Sequence, residues 1–211
     1  MGQAFMKRVA VLNCGVSNLR SVKNAIDFIK IDAEIIDTPA ALDSFSHIII
    51  PGVGSYKQGI DNLKNKGFFD LIQKEAAKGK PMLGICLGMQ LLATSGEEFG
   101  PIEGLNIIPG RVKKIDLSNA PDHRLPHVGW NDVTHCRNSP LWEGIEQGAS
   151  FYFTHSYVYA DTDAEHVIGR CEYGEKLIIA IQHDNVFGVQ FHPEKSQKPG
   201  LQLLRNFATA C

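Results

Sequence analysis

The amino-acid sequence predicts an α/β fold, a mostly parallel doubly wound sheet flanked by helices, with a β-rich insertion in its second half. In the first half, short apolar runs alternate with longer stretches that place apolar residues at helical spacing. In residues 107–181, the apolar segments are short and rich in β-branched and aromatic residues. No repeat or linker interrupts the sequence, so a single domain spanning residues 1–211 is expected.

The first half is predicted to run strand, helix, strand, strand, helix, strand, helix. The expected strands are residues 8–12, 33–36, 47–50 and 81–85, and the expected helices are 18–29, 59–77 with a break near Gly67, and 87–94. In the second half, the expected strands are 112–115, 151–159, 177–181 and 186–190, followed by a closing helix at 201–210.

Composition and charge exclude several classes of function. Of the 211 residues, 44% are hydrophobic and 21% charged, the net charge is −2, and no basic run favours a nucleic-acid partner. No apolar run approaches the roughly 20 residues of a membrane-spanning helix, and residues 1–8 lack a signal peptide, so a cytoplasmic protein is expected. The five cysteines form no C-x-x-C pair, and the histidines show no ligand spacing. Neither a metal nor a cofactor is predicted.

The clearest motif is Gly84-Ile85-Cys86-Leu87-Gly88, which follows a predicted strand and opens a predicted helix. A nucleophile between two glycines at such a turn is typical of a nucleophile elbow, because the tight backbone leaves no room for a neighbouring Cβ. The motif therefore predicts Cys86 as a nucleophile. A buried structural cysteine is the alternative that the motif alone leaves open.

A second motif, Phe191-His192-Pro193-Glu194, follows the last predicted strand. In extended backbone, side chains two residues apart point the same way, so Glu194 can bind one ring nitrogen of His192 while the other serves a thiol. Alone, the motif could be a surface turn. Beside the elbow, it predicts a triad of Cys86, His192 and Glu194.

A third motif, Pro51-Gly52-Val53-Gly54, ends the strand before the elbow. Backbone N–H groups at Gly52 or Val53, with that of Leu87, could stabilise an oxyanion. A simple tight turn is the alternative. No Gly-Lys-Ser/Thr follows, so a phosphate-binding P-loop is excluded.

These three motifs, in this order and spacing, resemble the class I (triad) glutamine amidotransferases, and the resemblance covers nearly the whole chain. Within that family, the sequence is most similar to the glutaminase subunits of imidazole glycerol phosphate synthases. The segments that narrow the resemblance are Gly129-Trp130-Asn131 and Tyr152-Phe153-Thr154-His155-Ser156-Tyr157.

The resemblance implies hydrolysis of glutamine through a covalent intermediate. Cys86 would attack the side-chain amide, releasing ammonia and leaving a γ-glutamyl thioester. His192 would protonate the leaving amine and then activate water to release glutamate.

The resemblance also implies how the substrate is held. Gln90 and Glu98 would hold the α-amino end of glutamine, and backbone around Ser156 and Tyr157 would hold its carboxylate. A solvated loop charge is the alternative for Glu98. His155, in the same segment, is predicted to be structural and not a second base.

The partner implied by the resemblance is a (β/α)8-barrel cyclase or synthase. It would use the ammonia to make imidazole glycerol phosphate and an aminoimidazole carboxamide ribotide in histidine biosynthesis. Asn18, Trp130, Tyr152 and Lys195 match interface positions, although ordinary packing would also explain the two aromatic residues.

Two segments depart from the histidine-pathway pattern. Residues 13–18 read Asn-Cys-Gly-Val-Ser-Asn, where that subunit more usually carries Asp-Tyr-Gly and a Gly before the Asn. The loop at 93–100 is similar to paralogues that supply ammonia to sugar-modifying synthases of surface polysaccharide pathways. Such a paralogue, a non-catalytic regulatory subunit and a free-standing cysteine hydrolase are therefore the alternatives. The intact triad argues against the regulatory subunit, and Gln90 favours glutamine over other substrates.

Overall fold

A computed structural model describes residues 7–15 and 18–211. Of the segment that departs from the histidine-pathway pattern, Val16 and Ser17 lie outside the described residues. The strands are β1 (Arg8–Leu12), β2 (Asp32–Ile36), β3 (His47–Gly52), β4 (Met82–Cys86), β5 (Ser95–Gly96), β6 (Ile102–Glu103), β7 (Arg111–Lys114), β8 (His127–Asp132), β9 (Thr134–His135), β10 (Ser150–His155), β11 (Tyr157–Ala160), β12 (Val167–Tyr173), β13 (Glu175–His183) and β14 (Val186–Val189). The helices are α1 (Leu19–Phe28), α2 (Tyr56–Asn65), α3 (Phe69–Ala77), α4 (Leu87–Leu91) and α5 (Gln197–Ala210).

A long mixed sheet forms the centre of the fold, in the order β2-β1-β3-β4-β14-β13-β11-β7-β5-β6. The first five of these strands are parallel, and β13 turns antiparallel against β14. After β4 the chain leaves the parallel strands, forms the strands at the other end of the sheet and the separate two-stranded sheet, and returns beside β4 as β14. The predicted fold class is confirmed.

Helices cover both faces of the parallel strands, as alternating side chains of β1 show. Val9 and Val11 pack in one apolar cluster with α1 and α5, whereas Ala10 and Leu12 pack in a second cluster with α2 and α3. Among helices in the described part of the chain, none has the length and apolar character needed to cross a membrane.

The helix predicted for residues 87–94 is shorter than expected, because α4 ends at Leu91. Beyond it, the backbone bonds to a neighbouring loop instead of continuing the helix. The N–H of Thr94 donates to the carbonyl oxygen of Gly110 at 2.9 Å, and the N–H of Asn106 donates to that of Ala93 at 2.9 Å. These long-range bonds outweigh the local helical pattern.

The single strand predicted for residues 151–159 is wrong, because the chain changes sheets at Ser156. Before this residue, β10 pairs only with β8 in a separate two-stranded sheet, and after it β11 joins the central sheet. The sequence analysis predicted neither β8 nor β12. The change of sheet at Ser156 lies beside the candidate site.

Candidate active site

Cys86 ends β4 and precedes α4, with a positive backbone φ of 54° and a ψ of −111°. A non-glycine residue rarely adopts a positive φ, and such strain is concentrated at functional sites. The two elbow glycines are close-packed. A Cβ on Gly84 would lie 2.6 Å from the carbonyl oxygen of Gly88, and a Cβ on Gly88 would lie 1.7 Å from that of Ile50. The glycines therefore allow the elbow to fold against itself and against β3.

Gly88→Ala is expected to destabilise the fold by about 3–5 kcal/mol, because the new methyl group would overlap backbone that cannot move without disrupting β3. For a chain of this length, the loss corresponds to a fall of roughly 10 °C in the melting temperature. The matched control is Gly59→Ala, where a Cβ would meet the end of the flexible Leu91 side chain at 3.0 Å. Thermal unfolding followed by circular dichroism measures both variants. Equal melting temperatures would show that the close approach does not constrain the elbow.

His192 and Glu194 form a buried pair, with Nδ1 of the ring 2.8 Å from Oε1 of the carboxylate and side chains only 2% and 1% exposed. The backbone N–H of His192 donates to the carbonyl oxygen of Tyr152 on β10 at 2.9 Å. Asn18 donates from Nδ2 to the same Oε1 at 3.4 Å. Within the described part of the chain, Nε2 of His192 has no hydrogen-bond partner. The ring of His192 is thus oriented through Nδ1 by Glu194.

The electrostatics of His192 favour its charged form. Burial lowers the pKa of the ring, but the neighbouring Cys86 sulfur and the Glu194 carboxylate outweigh burial and raise it to about 9. At neutral pH the ring is therefore an imidazolium that can give a proton to a leaving group.

A cavity of about 190 Å³ opens beside Cys86. Its wall includes six residues that the sequence analysis assigned to the oxyanion or to the substrate: Val53, Leu87, Gln90, Glu98, Ser156 and Tyr157. Gly52 lies next to the nucleophile, paired with Cys86 in the register of β3 and β4. A larger cavity of about 540 Å³ lies at the opposite ends of the strands, near Lys78 and Asn185. The predicted substrate residues therefore converge on the smaller cavity.

Two residues that were assigned to the oxyanion, Val53 and Leu87, carry backbone N–H groups beside Cys86. The N–H of Val53 makes no hydrogen bond to any residue that the structure describes. Leu87 is the first residue of α4. Both residues line the cavity.

Glu98 and Gln90 are both held in place at the cavity wall. Oε2 of Glu98 accepts from the backbone N–H of Tyr56 at 2.7 Å. Nε2 of Gln90 donates to the carbonyl oxygen of Tyr157 at 3.1 Å and to Oε1 of Gln190 at 2.9 Å. Burial, followed by the nearby charge of Glu98, raises the pKa of Tyr157. Because Gln90 uses both N–H bonds, its Oε1 is left to accept from a ligand, beside a carboxylate that attracts a cation.

His155 lies on the cavity wall but is held by its neighbours. Nδ1 lies 2.8 Å from the carbonyl oxygen of Tyr157, and Nε2 lies 3.0 Å from Nδ1 of His127. Burial lowers the pKa of His155 to about 3 despite the bond to Tyr157. A neutral ring with both nitrogens engaged fits a structural role.

Three of the residues assigned to an interface lie together on the outer face of the two-stranded sheet. Trp130 lies opposite Tyr152, with ring centroids 6.1 Å apart, and Nζ of Lys195 lies 5.6 Å from the centroid of the Tyr152 ring. Trp130 is 49% exposed and the adjacent Val128 is 55% exposed. We call Val128, Trp130, Tyr152 and Lys195 the aromatic patch. Asn18, the fourth assigned residue, instead contacts Glu194.

The other cysteines and the histidines give no second centre of comparable geometry in the described residues. Burial raises the pKa of Cys14, Cys171 and Cys211 to about 12 in each case, so their thiols stay protonated. Potential ligand atoms of Asp163, Glu165 and His166 lie within 4.8 Å of one another, but both carboxylates are exposed. The absence of a metal stays a prediction.

The chain is similar to known proteins over nearly its whole length. Residues 10–211 match the family described as glutamine amidotransferase class-I. The chain belongs to this family. It is 42% identical to the imidazole glycerol phosphate synthase subunit HisH of Moorella thermoacetica, over 96% of this chain and 94% of the relative. It is 41% identical to the subunit of the same name from Syntrophotalea carbinolica, over 94% and 98% of the two chains.

Solved structures with lower sequence identity to this chain have the same fold. A glutamine amidotransferase crystal structure superposes with a TM-score of 0.73 at 22% identity, covering 94% of this chain and 98% of the other. PurLQS from Thermotoga maritima superposes with a TM-score of 0.74 at 21% identity, covering 96% and 97%.

One side chain at the centre of the amidotransferase site, Gln190, was not predicted from the sequence, and Asn18 was predicted only at the interface. Gln190 lies between Gln90 and Cys86, and Asn18 contacts the triad carboxylate. The sequence contains one indication of Gln190: a polar residue stands at the end of an otherwise apolar strand. A polar side chain buried there needs a hydrogen-bond partner.

Proposed function

We propose that this chain is the glutaminase subunit of an imidazole glycerol phosphate synthase, which hydrolyses glutamine and passes the ammonia to a (β/α)8-barrel partner. The observation that carries the proposal is the Cys86 elbow, which opens on a cavity of about 190 Å³ with Gln90 and Glu98 in its wall. Pockets for drug-sized ligands are larger, at roughly 300–1,000 Å³, so this one suits a free amino acid. Sequence identity to HisH subunits supports the choice of pathway.

The reaction begins with attack of the Cys86 thiolate on the side-chain carbonyl carbon of glutamine. The oxyanion that forms accepts hydrogen bonds from the N–H groups of Val53 and Leu87. The imidazolium of His192 protonates the nitrogen as its bond to carbon breaks, so ammonia leaves and a thioester remains. The neutral ring then takes a proton from water, hydroxide attacks the thioester, and glutamate and the thiolate are regenerated.

Substrate orientation follows from charge and hydrogen bonding at the far end of the cavity. Glu98, anchored by the N–H of Tyr56, attracts the α-ammonium group, and Oε1 of Gln90 accepts from it. The backbone at Ser156, where the chain changes sheets, faces the α-carboxylate. The side-chain amide of glutamine is then directed to the nucleophile.

Partner binding and catalysis share one strand in this proposal. The aromatic patch lies on the outer face of β8 and β10, and Tyr152 of β10 also accepts the backbone hydrogen bond of His192. Thr154 of the same strand lines the cavity. A partner bound at the aromatic patch therefore contacts the strand that positions the base. A shift of that strand on binding is the proposed route by which the partner activates the site.

Glutamate release measured for the chain alone, and then with the barrel synthase and its ribonucleotide ligand, tests the proposal. If partner binding brings the Val53 N–H to the oxyanion, it adds one donor, which is worth about 10²–10³ in rate, so the complex is expected to be faster by that factor. Trp130→Ala is expected to weaken partner binding by about 10- to 30-fold, as for a buried aromatic anchor. Phe28→Ala is the matched control. Phe28 is also an exposed aromatic residue, but it lies at the last residue of α1, at the opposite end of that helix from the interface residue Asn18.

Other outcomes separate the alternatives. No activation by the barrel synthase, with Cys86 still labelled by a glutamine-analogue electrophile, would favour the sugar-pathway paralogue. Neither hydrolysis nor labelling would favour a non-catalytic subunit. Strong hydrolysis without any partner would favour a free-standing hydrolase.

A further inference from the structure

Gln190 is fully buried directly after β14, two residues before His192. Its backbone N–H donates to the carbonyl oxygen of Ile179 at 2.8 Å, so the residue is fixed to the central sheet. Its side-chain amide contacts two groups. Oε1 accepts from Nε2 of Gln90 at 2.9 Å, and Nε2 lies 3.7 Å from Sγ of Cys86.

The Tyr157 carbonyl oxygen, which can only accept hydrogen bonds, determines which end of the Gln190 amide faces the Cys86 sulfur. The carbonyl oxygen of Tyr157 faces Gln90, so Gln90 must present its N–H₂ end. That N–H₂ group in turn requires an acceptor from Gln190, which directs Oε1 towards Gln90. The remaining end of the Gln190 amide, its N–H₂ group, is therefore turned to the sulfur. Flipping the amide would set two N–H₂ groups against each other.

The Tyr157 carbonyl is itself held from the other side. Nδ1 of His155 lies 2.8 Å from the same oxygen, and His127 holds the far nitrogen of that ring. The carbonyl that orients both amides thus has little freedom to move. The constraint extends from the two-stranded sheet to the nucleophile.

We propose that Gln190 is a catalytic residue of this site, donating a hydrogen bond from Nε2 to Cys86 Sγ and stabilising the thiolate for attack. The inference rests on the proposed function for the reaction in which Cys86 takes part. The hydrogen bond from Gln190 to the thiol does not depend on which substrate is bound. A hydrogen bond to an anion is stronger than one to a neutral thiol, and a dry site strengthens it further. The donor therefore favours the anionic form of the nucleophile.

Two variants remove the donor in different ways. Gln190→Met keeps the length and fills the space with an apolar side chain. Gln190→Leu removes both ends of the amide and leaves a smaller apolar side chain. The matched control is Gln182→Met, because Gln182 lies on β13 and its side chain donates to the carbonyl oxygen of Asp184 at the surface.

The measurement is the rate at which iodoacetamide alkylates Cys86, followed by mass spectrometry of its peptide over a range of pH. At pH 7 we expect Gln190→Met to slow alkylation by about 3- to 10-fold, the range for one hydrogen bond to a charged group. Gln190→Leu should slow it by a similar factor, and Gln182→Met should leave it unchanged. The difference in alkylation rate between Gln190→Met and wild type should shrink at high pH, where the thiol ionises without the donor. A purely structural defect would slow alkylation at every pH.

Alkylation rates at the wild-type level in either folded variant would overturn the inference. If Gln190→Met does not fold, Gln190→Leu decides the matter alone. A wild-type chain that hydrolyses no glutamine, together with slowed alkylation in the variants, would reject the proposed function and leave the donor role standing.

Discussion

Replacing Cys86 with alanine is expected to reduce glutamine hydrolysis in the partner complex by roughly 10⁶-fold, the scale at which losing a triad nucleophile acts. Alanine keeps the cavity, the oxyanion donors and the substrate contacts, but no thioester can form without the sulfur. Glutamate release in the presence of the barrel synthase is the measurement. Cys86 is buried among small elbow residues, so the variant should fold and bind the partner as before.

The matched control for this prediction is Cys136→Ala, which removes an exposed thiol at the end of β9. It should retain wild-type activity. Hydrolysis by Cys86→Ala at a rate comparable with that of Cys136→Ala would show that another group is the nucleophile.

Glu194→Gln is expected to lower kcat by about 10³- to 10⁴-fold, as for other triads whose carboxylate becomes an amide. An amide can present N–H to Nδ1 and reverse the ring tautomer, and it removes the negative charge that helps to keep His192 protonated. The exposed Glu146 supplies a control, and Glu146→Gln should behave as wild type. Steady-state kinetics that leave kcat of Glu194→Gln within tenfold of wild type would contradict the triad assignment.

The same substitution should change the pH dependence in a defined direction. Because the pKa of His192 is raised to about 9, wild-type kcat/KM is expected to hold to that pH and fall above it, as the proton for the leaving amine is lost. In Glu194→Gln the alkaline fall should begin at lower pH. The stabilisation linked to His192 is fully present below its unfolded pKa near 6.5 and lost as pH rises through about 9. Melting temperatures should therefore decline more over that window in wild type than in the variant.

The parallel half of the fold follows from sequence because its signals are local. Buried parallel strands are continuous apolar runs, and β1 was predicted with its observed bounds, Arg8–Leu12. The second half is harder, because alternation in residues 151–159 continues through Ser156 while the chain passes from one sheet to another. Local spacing contains no information about which strand becomes the neighbour. The same reasoning explains α4, whose end at Leu91 is determined by bonds to a later loop.

The same contrast between local signals and long-range contacts applies to the candidate active site. Motifs that require a particular backbone, such as the glycines around Cys86, reveal themselves in sequence because few residues can replace them. Contacts between side chains on distant segments do not. Asn18 and Glu194 meet across 176 positions, and nothing in either segment predicts the contact.

The return of β14 beside β4 has a consequence for how the enzyme is made. Gln190 is separated from Cys86 by 104 positions, and the base and its carboxylate follow directly after Gln190. A nascent chain synthesised from its amino terminus therefore carries the thiol long before it carries any group that can act on it. Pairing of such distant strands is slow to nucleate, so it belongs late in folding. In the proposed mechanism, ammonia production thus begins only after residues 190–194 have been synthesised and placed beside β4, and a product that terminates before them is inactive.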